Sequence, residues 1–396
     1  MNENNNMRIA YVLHSTDPLA GATKAFLFLL KGLMAKGIIP FVIVPDKRGI
    51  YSTLEDMGVV VLVLNYRPEA WTYRQTAKDF LLFLPRMVAR LYVNWLSSIR
   101  LTAWLKDKNI SLVHTNVGVI SIGFRAARRL NIPHIYHIRE YGDKDFNIRY
   151  FPNKHAFWYQ FKAPKSYSIC ITRDIQAYHK QDGNQHSQVI YDGVMPAVAV
   201  CPHIDKENYL LYAGRIEQAK GLDILLEAYS DYVEKSSTII PLWIAGSMNN
   251  SQYLDKIKSI VSNRKLSQHI TFLGERNDLQ SLMQRAKAII IPSRFEGFGF
   301  CMAEAMFNGC LAIGNNTAGT REQFDNGLQL EKKEIGIRYN TKEELTQRLI
   351  DITNSPAVHY KDMVARAFHT VNSMYSREKH TENVYVFYKR IIKDSI

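Results

Sequence analysis

The sequence predicts an α/β protein of two doubly wound domains in tandem, with a cleft where the two face each other. Three observations carry this. Short apolar runs alternate with helical stretches in both halves of the chain. The runs are continuously apolar rather than alternating, which suits strands of a parallel sheet covered on both faces. A length of 396 residues exceeds what one compact core holds. The first domain is expected over residues 1–194 and the second over residues 206–374, joined by a proline-containing linker at 195–205.

In chain order, Arg8–Leu13 reads as the first strand. The loop Asp17–Thr23 follows, then a helix over Lys24–Lys36. Phe41–Val44, Val59–Leu64, Leu112–His114, His134–His137 and Ser168–Ile171 are the next strands, and Val189–Val194 closes the half. The pattern restarts with the strand Tyr209–Ala213 and a helix over Leu222–Tyr229. The strands Leu242–Ala245, Ile270–Leu273, Ala288–Ile291 and Leu311–Ile313 follow. A helix over Phe300–Asn308 is closed by Gly309, the residue type favoured just past a helix end. The chain closes with a helix within Tyr375–Ile396, apolar at Val384, Val386, Phe387, Tyr388 and Ile391. In sheets of this kind ligands bind beyond the carboxyl ends of the strands.

Residues 70–106 break the alternation. They read as a long helical insertion rich in aromatics (Trp71, Tyr73, Phe80, Phe83, Tyr92, Trp95 and Trp104) and broken at Pro85. Beyond Pro85, Arg86, Arg90, Asn94 and Ser97 recur at helical spacing, giving a narrow polar stripe beside a wide apolar face. Two readings stand: a helix lying in a membrane interface, or a sheet-covering helix with solvated arginines.

The net charge is +13, of which residues 1–200 carry +11 and residues 201–396 only +2. The first half is therefore expected to meet an anionic partner, or is merely well solvated. No nucleic-acid-binding motif accompanies the charge, so nucleic acid is not expected; an anionic membrane surface is the better candidate. Cys170, Cys201, Cys301 and Cys310 form no CxxC pair and have no zinc spacing, so they read as structural cysteines in a reducing compartment. There is no signal-peptide pattern and no apolar run near the ~20 residues that span a bilayer. The expectation is a cytoplasmic protein, held peripherally at the inner face of the membrane.

The chemistry concentrates in Pro292-Ser-Arg-Phe-Glu-Gly-Phe-Gly-Phe-Cys-Met-Ala-Glu304. Glu296 falls in the loop after a strand, and Glu304 just past the first turn of the next helix. Gly297 and Gly299, interleaved with Phe298 and Phe300, let the backbone approach a ligand. The helix start leaves N–H groups that suit an anion. A phosphate-binding nest between two carboxylates, which suit hydroxyl groups, fits a nucleotide sugar. Arg215 and Lys220 follow a strand and precede a helix, where two cations suit a diphosphate; each charge-assisted hydrogen bond is worth roughly 1.5–3 kcal/mol. In the first half, Gly21 precedes a helix and offers backbone amides to a phosphate. His137 ends its strand, which places it at the mouth of the cleft. His114 has the same strand-end position, and with Asn116 and Arg139 it is a pocket candidate. His14 sits in another strand-end loop.

The run Pro292–Met306, with Gly309 after it, resembles the E-x7-E signature of retaining GT-B glycosyltransferases. It is most similar to the family 4 enzymes, the glycosyl transferases group 1. Gly214-Arg215 with Lys220-Gly221, Phe272–Gly274 and Thr320–Glu322 match further family positions in order, so the resemblance covers roughly residues 205–325. It implies the GT-B fold and retention of anomeric configuration. It implies that Glu296 contacts the donor sugar, Glu304 the ribose, and Arg215 and Lys220 the diphosphate. It places Gly21 on the phosphate and His137 beside the reacting carbon. Such enzymes need no metal, and no DxD stands in a plausible site here. In similar proteins the last helix crosses back to the first domain, which is expected here of residues 375–396. There are departures: Ala20-Gly21 replaces a double glycine, Thr23-Lys24 stands where an acidic residue often follows, Cys310 replaces a proline, and Asp192-Gly-Val194 replaces Asn-Gly-Val.

The implied activity is transfer of a sugar from a nucleotide-diphosphate donor, UDP first and GDP second. The acceptor is a saccharide or lipid-linked saccharide of surface-polysaccharide synthesis. No flanking pair of glycosidase-type carboxylates is evident, so front-face displacement is expected. Two rivals share the fold: a sugar-nucleotide epimerase, and a non-catalytic membrane-surface protein.

Overall fold

The computed structural model describes residues 7–18, 20–72, 76–146, 148–202, 204–247 and 251–394; Tyr73 lies outside them. The chain divides into two compact units, residues 1–193 with 377–396, and residues 194–376. Both carry parallel sheets between helices, an α/β architecture.

The first unit has strands β1 (Arg8–Val12), β2 (Ile39–Val44), β3 (Val60–Val63), β4 (Ala70–Thr72), β5 (Leu112–Thr115), β6 (His134–Ile138), β7 (Ile148–Tyr150), β8 (Ser166–Cys170) and β9 (Ser187–Val189). Among the described residues, seven of them form a parallel sheet in the order β3-β2-β1-β5-β6-β8-β9, while β4 and β7 pair antiparallel on their own. The helices between them are α1 (Gly21–Ala35), α2 (Tyr51–Asp56), α3 (Ala77–Leu81), α4 (Phe83–Asp107), α5 (Ile122–Leu130), α6 (Lys154–Gln160) and α7 (Arg173–Tyr178).

The second unit's sheet runs β12-β11-β10-β13-β14-β15. Its strands are β10 (Glu207–Ala213), β11 (Leu242–Ala245), β12 (Ile270–Gly274), β13 (Ala286–Ile291), β14 (Ala312–Asn315) and β15 (Ile337–Tyr339). Its helices are α8 (Leu222–Lys235), α9 (Ser251–Asn263), α10 (Leu279–Arg285), α11 (Phe300–Phe307), α12 (Ala318–Glu331), α13 (Lys342–Asn354) and α14 (Lys361–Tyr375). The last helix, α15 (Arg377–Lys393), belongs to the first unit.

The continuous apolar runs have a direct cause. In β1, Ile9 and Tyr11 point to one face of the sheet and meet Phe26, Leu29, Phe387 and Ile391 from α1 and α15. Ala10 and Val12 point to the other and meet Leu101, Leu105 and Ala126 from α4 and α5. Both faces are covered, so every position must be apolar. In the second unit, α8, α9 and α13 cover one face with Leu225, Tyr229, Ile257 and Leu349 over Leu210, Ile244 and Ile290. Each sheet reverses its strand order once at the centre, between β1 and β5 and between β10 and β13. The crevice at such a reversal is where ligands bind in doubly wound folds.

Two local expectations are corrected. Helix α1 starts at Gly21 rather than Lys24, because Ala20 is extended and its carbonyl already accepts from Thr23 and Lys24. Gly21 is therefore a first-turn helical residue, and a Cβ there would meet nothing within 4 Å. The second correction concerns residues 70–106, which are not one insertion helix broken at Pro85. They form a short strand, a five-residue helix and the 25-residue α4. Pro85 sits in the first turn of α4, where its missing N–H has no intrahelical partner to lose; the break falls before Phe83. Among the described residues no helix is long and apolar enough to cross a membrane.

Candidate functional site

At the reversal in the second unit, the loop after β10 and the loop after β13 lie on neighbouring strands. The first carries Arg215 and Lys220, the second Glu296. Lys220 Nζ donates to both oxygens of Glu296, at 2.7 and 2.9 Å, and Ser293 Oγ donates to Glu296 Oε1 at 2.7 Å. Both side chains of this ion pair are mostly buried. Arg215 is half-exposed and pairs with Glu217 at 3.0 Å. A cation and a carboxylate from loops 76 residues apart thus meet above the sheet.

The two loops are pinned together at several points. Gly221, at φ +67°, starts α8 so close to the other loop that a Cβ would lie 2.0 Å from the Pro292 carbonyl oxygen. Arg294 N donates to Ala219 O at 2.9 Å. Arg294 also grips Asp223 with two parallel hydrogen bonds of 2.8 and 3.0 Å, and Asp223 accepts from Lys256 and Tyr253 at 2.7 and 2.9 Å. Burial opposes the charge of Asp223, but the bonds from Arg294, Lys256 and Tyr253 outweigh it and hold the carboxyl well below its usual range. Helix α12 supports the other side. Gly319 N donates to Glu296 O at 2.9 Å, and Gln323 Nε2 donates to Phe298 O and Gly299 O at 2.6 and 3.0 Å.

Gly299, at φ +93°, caps the start of α11 in a conformation that side chains rarely adopt. The first turn of α11, whose leading N–H groups point away from the helix, therefore follows directly on the Glu296 loop. Gly297 and Phe300 are half-buried, Phe298 is buried, and Glu304 is half-buried one turn into α11. The Cys301 thiol donates to Ala213 O at 3.1 Å, tying α11 to the end of β10, and burial pushes its pKa well up, so it stays protonated.

In the first unit, His114, Asn116, His137 and Arg139 come together at the ends of β5 and β6, but not as a solvent-facing rim. All four are buried, and His137 is 0% exposed; the expected position at an open mouth is corrected to one inside a polar cluster. Arg139 ion-pairs with Asp192 and donates from Nη2 to His137 Nδ1 and Asn116 Oδ1, each at 3.3 Å. Asn116 Nδ2 donates to Ala22 O at 3.0 Å. His114 Nδ1 bonds the Tyr388 hydroxyl, and His114 Nε2 lies 3.2 Å from His137 Nδ1. Arginine can only donate, so His137 Nδ1 is an acceptor and its proton sits on Nε2. That Nε2 has no hydrogen-bond partner among the described residues and lies 3.9 Å from Asp192 Oδ1.

His380 of α15 completes the cluster, with its Nε2 3.8 Å from the same oxygen. Burial, then the charge of Arg139, lowers the pKa of His137 far below 6.5, while burial takes His380 to about 4; both imidazoles are neutral at pH 7. His137, Asp192 and His380 lie within metal-ligand reach of one another. The Arg139 guanidinium already supplies the positive charge there, and a divalent ion would sit against it with a single carboxylate for both. His14, half-buried, has a pKa lowered to about 4 by burial and by Arg139.

Glu140 follows Arg139 and is also buried. Burial, then Asp145, raises its pKa to about 7. The folded state therefore holds this proton more tightly than the unfolded chain, whose value is near 4.5. Its stabilising effect is full below that value and is lost as pH rises through 7. Glu140→Gln is expected to raise the thermal midpoint at pH 8 relative to wild type and to change it little at pH 5. Equal shifts at both pH values would contradict the assignment.

Several of these residues escaped sequence reasoning. Ser293 and Arg294 lie inside the glutamate stretch and were there to be found. Asp223, Gln323 and His380 carry no local signal, because each acts on a partner at least 24 residues away.

Residues 199–369 match the family model Glycosyl transferases group 1. An uncharacterized glycosyltransferase of Methanocaldococcus jannaschii is 24% identical over 259 residues, 63% of this chain and 68% of that protein. The capsular polysaccharide biosynthesis glycosyltransferase CapH of Staphylococcus aureus is 26% identical over 219 residues, 54% of this chain and 61% of that protein. Matches to further curated relatives span less than half of their length, as with the 32% matched in a human mannosyltransferase, ALG2. Among solved structures, a glycosyltransferase of Rickettsia africae superposes with a TM-score of 0.74 at 18% identity, covering 98% of this chain and all of the other. Anabaena HepE in complex with UDP superposes with a TM-score of 0.71 at 17% identity, covering 97% of this chain and all of the other. The fold is thus that of GT-B glycosyltransferases.

Proposed function

We propose that this chain, whose residues 199–369 form a Glycosyl transferases group 1 domain, transfers a sugar from a nucleotide-diphosphate donor with retention of configuration. The observation that carries the reading is the Lys220–Glu296 pair at the strand reversal, directly before the amide-rich start of α11. The two charges satisfy each other in this structure. A donor offers each a better match: its diphosphate takes the lysine, and its sugar hydroxyls take the carboxylate. Arg215, half-exposed nearby in sequence, adds a second cation. Glu304 is assigned to the ribose, and Gly297, Phe298, Gly299 and Phe300 form the backbone cradle. In the first unit, His137 is assigned to the sugar and Gly21 to the phosphate, and His114 and Arg139 bond the imidazole at Nδ1.

Bond cleavage leaves growing negative charge on the diphosphate. Preorganised cations and amides stabilise that charge without a metal ion, and losing one such donor costs ~10²–10³ in rate. UDP is favoured as the carrier, with GDP second; HepE bound to UDP supports the first choice. The acceptor is a saccharide or lipid-linked saccharide of surface-polysaccharide synthesis, in keeping with CapH.

A thermal-shift screen of UDP- and GDP-sugars tests the donor. A ligand at 100 times its Kd stabilises by about 2.7 kcal/mol, which is visible as a raised midpoint. One nucleotide class is expected to raise it, with EDTA leaving the shift unchanged. No shift from either class, or a shift abolished by EDTA, counts against the reading. Incubation with donor alone is expected to yield no new sugar, which separates transfer from epimerisation.

A further inference from the structure

We propose that the outer face of α4 lies flat in the headgroup region of an anionic lipid bilayer. The middle of this helix departs from an ordinary surface helix. Its polar side chains point inward: Arg90 Nη1 donates to Pro68 O and Ala70 O at 3.0 and 2.7 Å, Asn94 accepts from Arg67 N at 2.9 Å, and Ser97 donates to Asn65 O at 2.5 Å. Met87, Leu101 and Leu105 are buried with them, but a second set of apolar side chains points outward. Leu84, Val88, Tyr92, Trp95 and Ile99 are 66, 63, 59, 48 and 42% exposed. Their spacing puts them on one side of the helix, in a stripe about 22 Å long at 1.5 Å per residue. A contiguous apolar face of this kind marks an interaction surface.

The charges around the stripe select its partner. No acidic residue occurs between Asp79 and Asp107, while Arg86, Arg100 and Lys106 are exposed on this helix. A second copy of the chain would bring these like charges together; an anionic bilayer neutralises them. Tyr92 and Trp95 stack at 6.1 Å within the stripe, and such aromatics with a polar edge favour the membrane–water boundary. Because the inner face of α4 is held to the protein by Arg90, Asn94 and Ser97 and by the buried Leu101 and Leu105, and the helix is not apolar enough to cross a bilayer, it rests in the interface at shallow depth. The attraction is partly electrostatic, so it weakens as salt screens it.

The test is co-sedimentation of the full chain with vesicles of equal parts phosphatidylcholine and phosphatidylglycerol, and with vesicles of phosphatidylcholine alone. Wild type is expected to pellet with the anionic vesicles at low salt, much less at high salt or with neutral lipid. The triple variant Val88→Ser, Tyr92→Ser, Trp95→Ser is expected to lose at least ~10-fold in partitioning. The pair Arg100→Glu, Lys106→Glu is expected to lose the preference for anionic lipid. These side chains are exposed, so both variants are expected to keep the wild-type midpoint and its shift by nucleotide. Wild type that ignores anionic vesicles overturns the proposal, as does a triple variant that pellets like wild type. A wild-type dimer in solution that the triple variant dissolves, without vesicle binding, assigns the face to a second copy and also overturns it.

Discussion

Lys220→Ala and Glu296→Ala are each expected to lower sugar transfer at least ~100-fold while the thermal midpoint stays within a few degrees of wild type. Lys220 is the cation that bonds the Glu296 loop just before α11, so removing it leaves the leaving diphosphate short of one charge. Glu296 is the carboxylate on the glycine loop, and it alone among the loop's side chains can accept from sugar hydroxyls and bond the lysine. The pair is mostly buried but keeps 22 and 13% side-chain exposure, so the remaining partner reaches water when the other is lost, and the fold tolerates the change. The double variant separates the two roles these residues have. If the pair served only to hold the loops together, removing both would cost little more than removing one. If each has its own task on the donor, the losses multiply and the double variant falls well below either single one. Near wild-type turnover in either single variant removes the basis of the donor-site assignment.

The second large effect is expected at a residue that touches no substrate. Asp223→Ala should destabilise the protein by about 2–3 kcal/mol, the scale of lost hydrogen bonds to a charged group, and should weaken nucleotide binding. Asp223 lies at the start of α8 and holds Arg294 of the opposite loop by two bonds, with Lys256 and Tyr253 behind it. Arg294 stands two residues before Glu296, so its release loosens the carboxylate that faces the donor. Lys256 and Arg294 are half-exposed and can turn to water, which keeps the loss below that of a fully buried pair. Denaturant titration reads the stability term and a UDP titration reads the positioning term. A variant with unchanged stability and unchanged nucleotide affinity would show that Asp223 does not brace the site.

The sheets were legible because strands covered on both faces must be apolar at every position, and Ile9–Val12 and Ala288–Ile291 are. The stretch from Pro292 to Glu304 was legible because its glycines, its carboxylates and its helix start are all local. The orientation of α4 was not. Arg86, Arg90, Asn94 and Ser97 do form a stripe, but a helical pattern does not say which stripe faces the protein. The inward face is decided by the backbone carbonyls of Asn65, Arg67, Pro68 and Ala70, which accept from Ser97, Asn94 and Arg90. The same holds for His137. Its place at a strand end was readable, while its burial depends on Arg139, two residues on, and on His114, Asp192 and His380, brought from three other segments.

By itself the sequence determined the two parallel sheets, the loops that carry function, and the residue types in them, because periodicity, glycine conformation and strand-end position are properties of short stretches. Only the tertiary structure decided which charges meet. Lys220 finds Glu296, Asp223 finds Arg294, and α15 returns His380 to Asp192, because packing a sheet brings together loops whose separation along the chain carries no trace of their separation in space.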